Sequence, residues 1–116
     1  MIQQAAVASQ TASEGSVSRL AQFFPEAVAV RIPVRVTGTG DRGLELTEQT
    51  LIEFGTAEEV LFASSLPLEF DDHLRLENAD GSLRVEASIV ALQYHNGQTA
   101  IAARFTTKPP NWIIQA

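Results

Sequence analysis

Two histidines and two adjacent pairs of carboxylates are the groups in this sequence whose chemistry could serve a metal site or acid–base catalysis. His73 follows Asp71-Asp72 in a predicted turn, and His95 stands at the start of another predicted turn. Zinc needs three or four protein ligands, and no local spacing supplies them here. In extended chain, the neighbours within Asp71-Asp72 and within Glu58-Glu59 point to opposite faces, so they make poor proton-sharing pairs. We therefore expect no metal site and no catalytic dyad.

The motifs that mark nucleophiles and phosphate-binding loops are also missing. The sequence has no Gly-x-Ser-x-Gly, the turn that presents a nucleophilic serine in many hydrolases. Gly38, Gly40 and Gly43 follow a strand pattern, but no helix pattern comes after them, so they predict a hairpin loop. We therefore predict a binding or regulatory domain and not an enzyme.

Size and composition predict one folded domain. The chain has 116 residues, of which 45% are hydrophobic, which is enough for a single core without disulfides. It has no cysteine, so disulfides and thiolate metal sites are excluded. The net charge of −6 repels phosphate backbones, and we expect no DNA or RNA binding. Eight basic residues could still form a local pocket for a small anion.

The ends and the hydropathy pattern predict a cytoplasmic protein. Residues 1–10 have neither a basic start nor an apolar stretch of the length found in a secretory signal. No apolar run approaches the roughly 18 residues that a membrane-spanning helix needs.

The first 26 residues predict a tail followed by a short helix, and residues 27–116 predict the folded domain. Thr11 and Glu14 have the spacing of a capping box, and Pro25 ends the helical pattern. One apolar face of this helix, expected over residues 14–24, contains Val17, Leu20, Ala21 and Phe24. Such a helix is too short to be stable alone. It must dock on its own domain, on a partner or on a second copy of the chain, and the pattern leaves these alternatives open.

From residue 28 the period of the apolar residues changes from 3.6 to 2, which indicates strands. The first strand is predicted to turn one face inward, with Val28, Val30, Ile32, Val34 and Val36. Pro33 indicates an edge position or a bulge. Further strands are expected at 44–54, 60–63, 73–77, 83–94 and 99–105, with Val85, Ala87, Ile89 and Ala91 on one face and Ile101, Ala103 and Phe105 alternating on the last strand. Asp80-Gly81 and Asn96-Gly97 predict two hairpin turns. Short strands at this spacing indicate an all-β barrel or sandwich.

The apolar segment at residues 109–114 is predicted to pack against an apolar surface of this chain or of a partner. Trp112 is the only tryptophan, and a single tryptophan most often serves to bury aromatic area. It is expected to cap an open barrel mouth or to form part of a partner surface.

Several segments resemble PilZ domains, over roughly residues 27–114. The similar segments are Arg31–Gly38 for the opening strand, Leu46–Leu51 and Val60–Ser64 for the next two strands, Leu66–Leu76 for the run into the fourth, and Ala87–Gly97 with Thr99–Phe105 for the closing hairpin. The resemblance implies a six-stranded antiparallel β-barrel. Many members of that family bind the bacterial second messenger cyclic di-GMP.

The resemblance also implies where such a ligand would bind. Family members carry Arg-x-x-x-Arg before the first strand and (Asp/Asn)-x-Ser-x-x-Gly between the second and third strands. Here Arg31 and Arg35 have the first spacing, but they lie within the strand, about 13 Å apart on one face. The second motif falls on Phe54 to Glu59, with Thr56 at the serine position and glutamate at the glycine position. The resemblance thus implies a degenerate member, with Arg31, Arg35 and Thr56 as the candidate ligand contacts.

Two functional hypotheses follow. The first is a non-enzymatic regulatory adaptor in bacterial signalling that binds another protein, without a cofactor, through a surface that includes Leu20, Phe24 and Trp112. The alternative is a cyclic di-GMP receptor with non-standard contacts. A homodimer is compatible with either hypothesis.

Overall fold

A computed structural model describes residues 15–39, 43–95 and 97–114. Within these ranges the chain forms one short helix and six strands: α1 (Ser16–Ala21), β1 (Val28–Thr39), β2 (Glu45–Gly55), β3 (Glu59–Ser64), β4 (His73–Glu77), β5 (Arg84–His95) and β6 (Gln98–Phe105). All neighbouring strands are antiparallel, and they close into a barrel in the order β1-β2-β3-β6-β5-β4. The prediction of a six-stranded antiparallel barrel with a short N-terminal helix is confirmed.

The barrel interior is filled by side chains from alternate positions of the strands. Val34 and Val36 of β1 and Leu74 and Leu76 of β4 are buried, and the residues between them are exposed or half-buried. This alternation arises because successive side chains in a strand point to opposite faces. The same core contains Ile52, Val60, Phe62, Val85, Ala87, Ile89, Ile101 and Ala103.

Glycines with positive φ form the predicted hairpin turns. Gly81, between β4 and β5, has φ 76°, and Gly97, between β5 and β6, has φ 83°. In the first turn, the amide of Leu83 donates to Oδ1 of Asn78. Asn96 lies outside the described residues. The Asp-Gly and Asn-Gly signals therefore marked the two turns correctly, because this backbone region favours glycine.

Bulges change which face of a strand is buried. The ladders shift register between Ala29 and Ile32 in β1, between Ile52 and Phe54 in β2 and between Ile89 and Ala91 in β5. Each bulge adds one residue to a strand, and in β2 and β5 the inward and outward faces exchange after it. Ile89 therefore packs inside the barrel, but Ala91 packs outside it. The prediction that Ala91 shares a face with Ile89 was wrong for this reason.

The first residues of β1 also differ from the prediction. Val28 is 50% exposed, although the alternation placed it inward. It precedes the bulge and pairs only with Gly55, since β4 reaches no further along β1 than Arg35. Pro33 pairs in register with Leu51 and has no β4 partner, so it occupies a local edge of β1 and lies outside the bulge.

Helix α1 docks on the outside of the barrel. Val17 and Leu20 pack against Leu61 of β3 and against Ala100 and Ala102 of β6. This explains why the middle of β6 is buried at four successive positions, since one face meets the core and the other meets α1. The helix is shorter than predicted and begins after Gly15, which has no side chain that could cap it. Thr11 and Glu14 of the predicted capping box lie outside the described residues.

Polar side chains bridge the gap where β2 separates from β3. Beyond the Ile52–Phe62 pair these strands have no ladder, and the Thr50 hydroxyl donates to the carbonyl of Ala63 at 2.7 Å. The carboxylate of Glu48 accepts hydrogen bonds from the hydroxyl of Ser64 and the hydroxyl of Ser65, each at 2.6 Å, and from the amide of Ser65. Burial raises the pKa of Glu48, but these hydrogen bonds outweigh it and hold the pKa below its usual value.

Candidate functional site

Thr56 lies in the tight turn that joins β2 to β3, the place where the resemblance implies a ligand contact. Its hydroxyl oxygen accepts hydrogen bonds from the amides of Glu58 and Glu59, and the hydroxyl donates to Oε1 of Glu59 at 2.7 Å. Its amide donates to the carbonyl of Glu59. The residue is buried, with 6% of its surface exposed. Its polar groups are therefore already used within the turn.

Glu59 connects this turn to β6. Arg104 donates to Oε2 of Glu59 from Nε at 3.1 Å and from a terminal nitrogen at 2.8 Å. The two residues face each other in the β3–β6 ladder. A two-pronged arginine–carboxylate pair has well-defined geometry. A glutamate carboxylate, supplied by the chain itself, thus accepts the hydrogen bonds that Thr56 and Arg104 donate.

Arg31 lies in the β1 bulge, opposite Glu53 of β2. Burial raises the pKa of Glu53, and the nearby charge of Arg31 partly lowers it again. Because the pKa of Glu53 stays raised, the charge of Arg31 offsets only part of the cost of burying this carboxylate. The positive charge of Arg31 therefore acts on Glu53 of the same chain.

Arg35 lies on the outer surface of β1 and pairs with Glu77 of β4. Its terminal nitrogen is 3.2 Å from Oε1 of Glu77, and Nε of Arg84 is 3.6 Å from Oε2 of the same carboxylate. The three residues form a row across β1, β4 and β5, because Glu77 is the register partner of both arginines.

The three predicted ligand contacts do not converge. Thr56 bonds to Glu59, Arg31 faces Glu53, and Arg35 belongs to the row of Glu77, so each has a different acidic neighbour. No protein-family model matches this chain, and no curated protein sequence matches it. The similarity to PilZ domains therefore rests on the sequence segments described above.

The side chains predicted to contact a partner are mostly buried against other residues of this chain. Leu20 is 4% exposed beneath α1, and Trp112 is 5% exposed at the end of the barrel. The indole nitrogen of Trp112 donates to the carbonyl of Thr56 at 2.8 Å, and its ring packs edge-on against Phe105 with centroids 5.3 Å apart. Phe24 is half-buried in the cluster under α1. These three side chains are therefore internal contacts, and any partner must use their exposed neighbours.

Two exposed apolar side chains, Val28 and Ile113, lie at the end of the barrel that Trp112 caps, and a third, Phe23, lies in the segment that leads into β1. Phe23 is 71% exposed, Val28 50% and Ile113 65%. The turn in which the Ala27 amide donates to the Phe24 carbonyl separates the first two. Val28 pairs with Gly55, where a Cβ atom would lie 2.9 Å from the ring of Trp112. We call Phe23, Val28 and Ile113 the end patch.

Sequence reasoning found the segments of the end patch but not its residues. It assigned Val28 to the core, and it chose Leu20, Phe24 and Trp112 because they are the most regular or the largest apolar residues nearby. A useful signal was available, since Phe23 falls outside the apolar face of α1 and Ile113 follows the buried tryptophan directly.

The two histidines and the Asp71-Asp72 pair lie at strand ends and in a turn. His73 is exposed at the start of β4, and His95 ends β5. Asp71 has φ 74° and its amide donates to the carbonyl of Ile89. In the described ranges no group of three or more potential metal-ligating side chains occurs. Within the same ranges, no helix is long and apolar enough to cross a membrane.

Proposed function

We propose that this chain is a non-enzymatic adaptor with a PilZ-like domain, which acts in bacterial signalling in the cytoplasm by binding another protein through the end patch. The observation that carries the proposal is the network of Thr56, Glu59 and Arg104. Within the chain, this network takes up the hydroxyl of Thr56, one of the three groups that the resemblance assigns to a nucleotide, and joins Glu59 to Arg104.

The exposed apolar area at the end patch supports a protein partner. Single exposed apolar side chains are ordinary, but Val28 and Ile113 lie at one end of a small barrel and Phe23 is exposed in the segment that leads to Val28. Aromatic and aliphatic side chains of this kind supply most of the binding energy at protein interfaces. A rigid barrel end also loses little conformational entropy when a partner binds.

Calorimetry with cyclic di-GMP tests the first part of the proposal. We expect no binding heat at about 100 μM ligand, a concentration that half-saturates a site with a Kd of about 0.1 mM. Saturable heat that disappears in the Arg31→Ala/Arg35→Ala variant, with the fold retained, would overturn the adaptor in favour of the receptor.

Affinity capture from the lysate of the source organism tests the second part. The Phe23→Ser/Ile113→Ser variant should lose a partner that the wild type captures, since both side chains are exposed and neither is needed for the fold. Leu44→Ser is the matched control, because Leu44 is 64% exposed beyond the opposite end of the barrel. A partner that is lost equally with Leu44→Ser would count against the end patch. Sedimentation of the purified chain identifies a homodimer, if the partner is a second copy.

A further inference from the structure

Two arginines and a threonine line a cleft on the outer surface of β4 and β5. The cleft has a volume of about 300 Å³ and is lined by Arg75, Arg84, Val85, Glu86 and Thr107. We infer that this Arg75–Arg84 cleft binds the phosphate group of an anionic ligand. This site is separate from the end patch and does not depend on the proposed adaptor function.

The strand register brings the two guanidinium groups to one place. Arg75 is opposite Glu86, and Glu77 is opposite Arg84, so the two arginines are diagonal neighbours on adjacent strands. Diagonal positions on one face of an antiparallel pair are about 7–8 Å apart, within reach of long side chains. Both guanidinium groups can therefore reach one phosphate.

The arginines keep unused hydrogen-bond donors. Among the described residues, the carboxylate oxygen closest to Arg75 is 3.9 Å away, on Glu45, and the one closest to Arg84 is 3.6 Å away, on Glu77. Both distances exceed those of a hydrogen bond. Arg104, by contrast, makes two hydrogen bonds to Glu59. Planar guanidinium groups with free donors match the oxygens of phosphate.

Thr107 adds a neutral donor on the third side of the cleft. Its hydroxyl oxygen accepts from the amide of Glu86 at 3.4 Å, and the amide of Thr106 donates to the carbonyl of Glu86 at 2.8 Å. These bonds hold the segment after β6 against β5. The hydroxyl hydrogen of Thr107 has no acceptor among the described residues and can point to a ligand oxygen.

Positive side chains gather around the cleft even though the chain is acidic overall. Lys108 lines the adjoining cleft, which also contains Thr107. Charges beyond about 8 Å are largely screened at physiological ionic strength, so the groups around the cleft matter more than the net charge of the chain. The opposing charges are Glu45 near Arg75, Glu77 near Arg84 and Glu86 in the cleft, and Glu86 forms no ion pair with Arg75 across the ladder. Removal of this carboxylate should therefore strengthen anion binding.

Amide chemical shifts of the labelled full chain, titrated with inorganic phosphate, test the inference. The amides of Glu86 and Thr107 should shift saturably, and sodium chloride at equal ionic strength should not reproduce the effect. Arg75→Ala and Arg84→Ala should each weaken binding roughly three- to tenfold, the range of a charged pair at an exposed site. Glu86→Gln should tighten binding by a few-fold. Arg19→Ala, on the exposed side of α1, is the matched control and should change nothing.

A second arm of the same titration identifies the source of the phosphate. Tighter binding of phosphoserine than of inorganic phosphate would indicate a phosphorylated side chain, and equal binding would indicate a free anion. Thermal unfolding checks that each variant is folded. Shifts that follow ionic strength alone, or that persist in the Arg75→Ala/Arg84→Ala variant, would overturn the inference.

Discussion

The outer surface of the barrel has two sides with different chemistry. On the covered side, α1 lies over β3 and β6, and the outward residues there are apolar, such as Leu61, Ala100 and Ala102. On the open side, the outward residues of β1, β4 and the start of β5 are charged, such as Arg35, Glu77 and Arg84. The same ring of strands is therefore buried on both faces in one half and on one face in the other.

This difference shows how α1 and the barrel surface stabilise each other. A short helix cannot stabilise itself, and α1 gains its stability from the apolar side chains that it covers. The covered side gains stability through burial, and the open side gains little, because exposed ion pairs contribute about 0–1 kcal/mol each. Substitutions on the two sides should separate these contributions.

The largest expected effect is on the covered side. Leu20→Ala should lower the free energy of unfolding by about 2–5 kcal/mol, because it removes a buried side chain and leaves a cavity between α1 and β3. Urea unfolding followed by tryptophan fluorescence measures the change. Phe23→Ala, two residues beyond the end of the same helix but exposed, is the matched control and should change the free energy by less than about 0.5 kcal/mol. Equal effects would mean that α1 does not cover the barrel.

A smaller effect is expected where β2 parts from β3 at the margin of the covered side. Glu48→Gln should cost about 1–2 kcal/mol at pH 7, because hydrogen bonds from Ser64 and Ser65 to a charged acceptor are lost or weakened. Since the folded pKa of Glu48 is lowered, its contribution is present above the unfolded pKa and disappears as the pH falls through the folded pKa. Urea unfolding at several pH values should show the variant converging on the wild type in acid. A difference that stays constant with pH would contradict this role.

The open side should respond weakly. Arg35→Ala should lower the free energy of unfolding by no more than about 0.5–1 kcal/mol, because the Arg35–Glu77 pair is solvent-exposed and Arg84 remains near Glu77. The loss should shrink further in high salt. A loss as large as that of Leu20→Ala would show that the charged row contributes as much stability as the covered side.

The smallest expected effect, that of Glu53→Gln, is an increase in the free energy of unfolding. Burial raises the pKa of Glu53, so the charged form is disfavoured in the folded chain despite Arg31. Its contribution is fully present below the unfolded pKa and is lost as the pH rises through the folded pKa. Glu53→Gln should therefore be more stable than the wild type at pH 7, by a few tenths of a kcal/mol, and equal to it in acid. A destabilised variant at pH 7 would indicate that Arg31 compensates Glu53 fully.

The strands could be predicted from sequence where alternation continues without interruption. The interval from His73 to Glu77 was predicted to the residue, because exposed charges alternate there with Leu74 and Leu76. Ala91 was misplaced because a bulge adds one residue without any sign in the apolar pattern, and Val28 is exposed because its end of β1 has no β4 partner. Bulges depend on contacts between strands that are distant in sequence, and no local pattern reports them.

The candidate site was less predictable than the fold. Thr56 was identified from its position in a resembling motif, but its hydrogen bonds to Glu59 depend on the shape of the turn. The link from Glu59 to Arg104 joins residues 45 positions apart, which only the β3–β6 ladder brings together. The Arg75–Arg84 cleft likewise arises from the register of two strands.

The ring of strands has a consequence for how the chain folds. The hairpins of β1–β2, β4–β5 and β5–β6 join neighbours in sequence, but the Arg35–Glu77 contact spans 42 positions. Bringing such distant segments together costs loop-closure entropy before any contact compensates for it. We expect the hairpins to form first and the β1–β4 and β3–β6 seams to close last. Refolding should therefore take milliseconds to seconds, slower than a helical bundle of the same length.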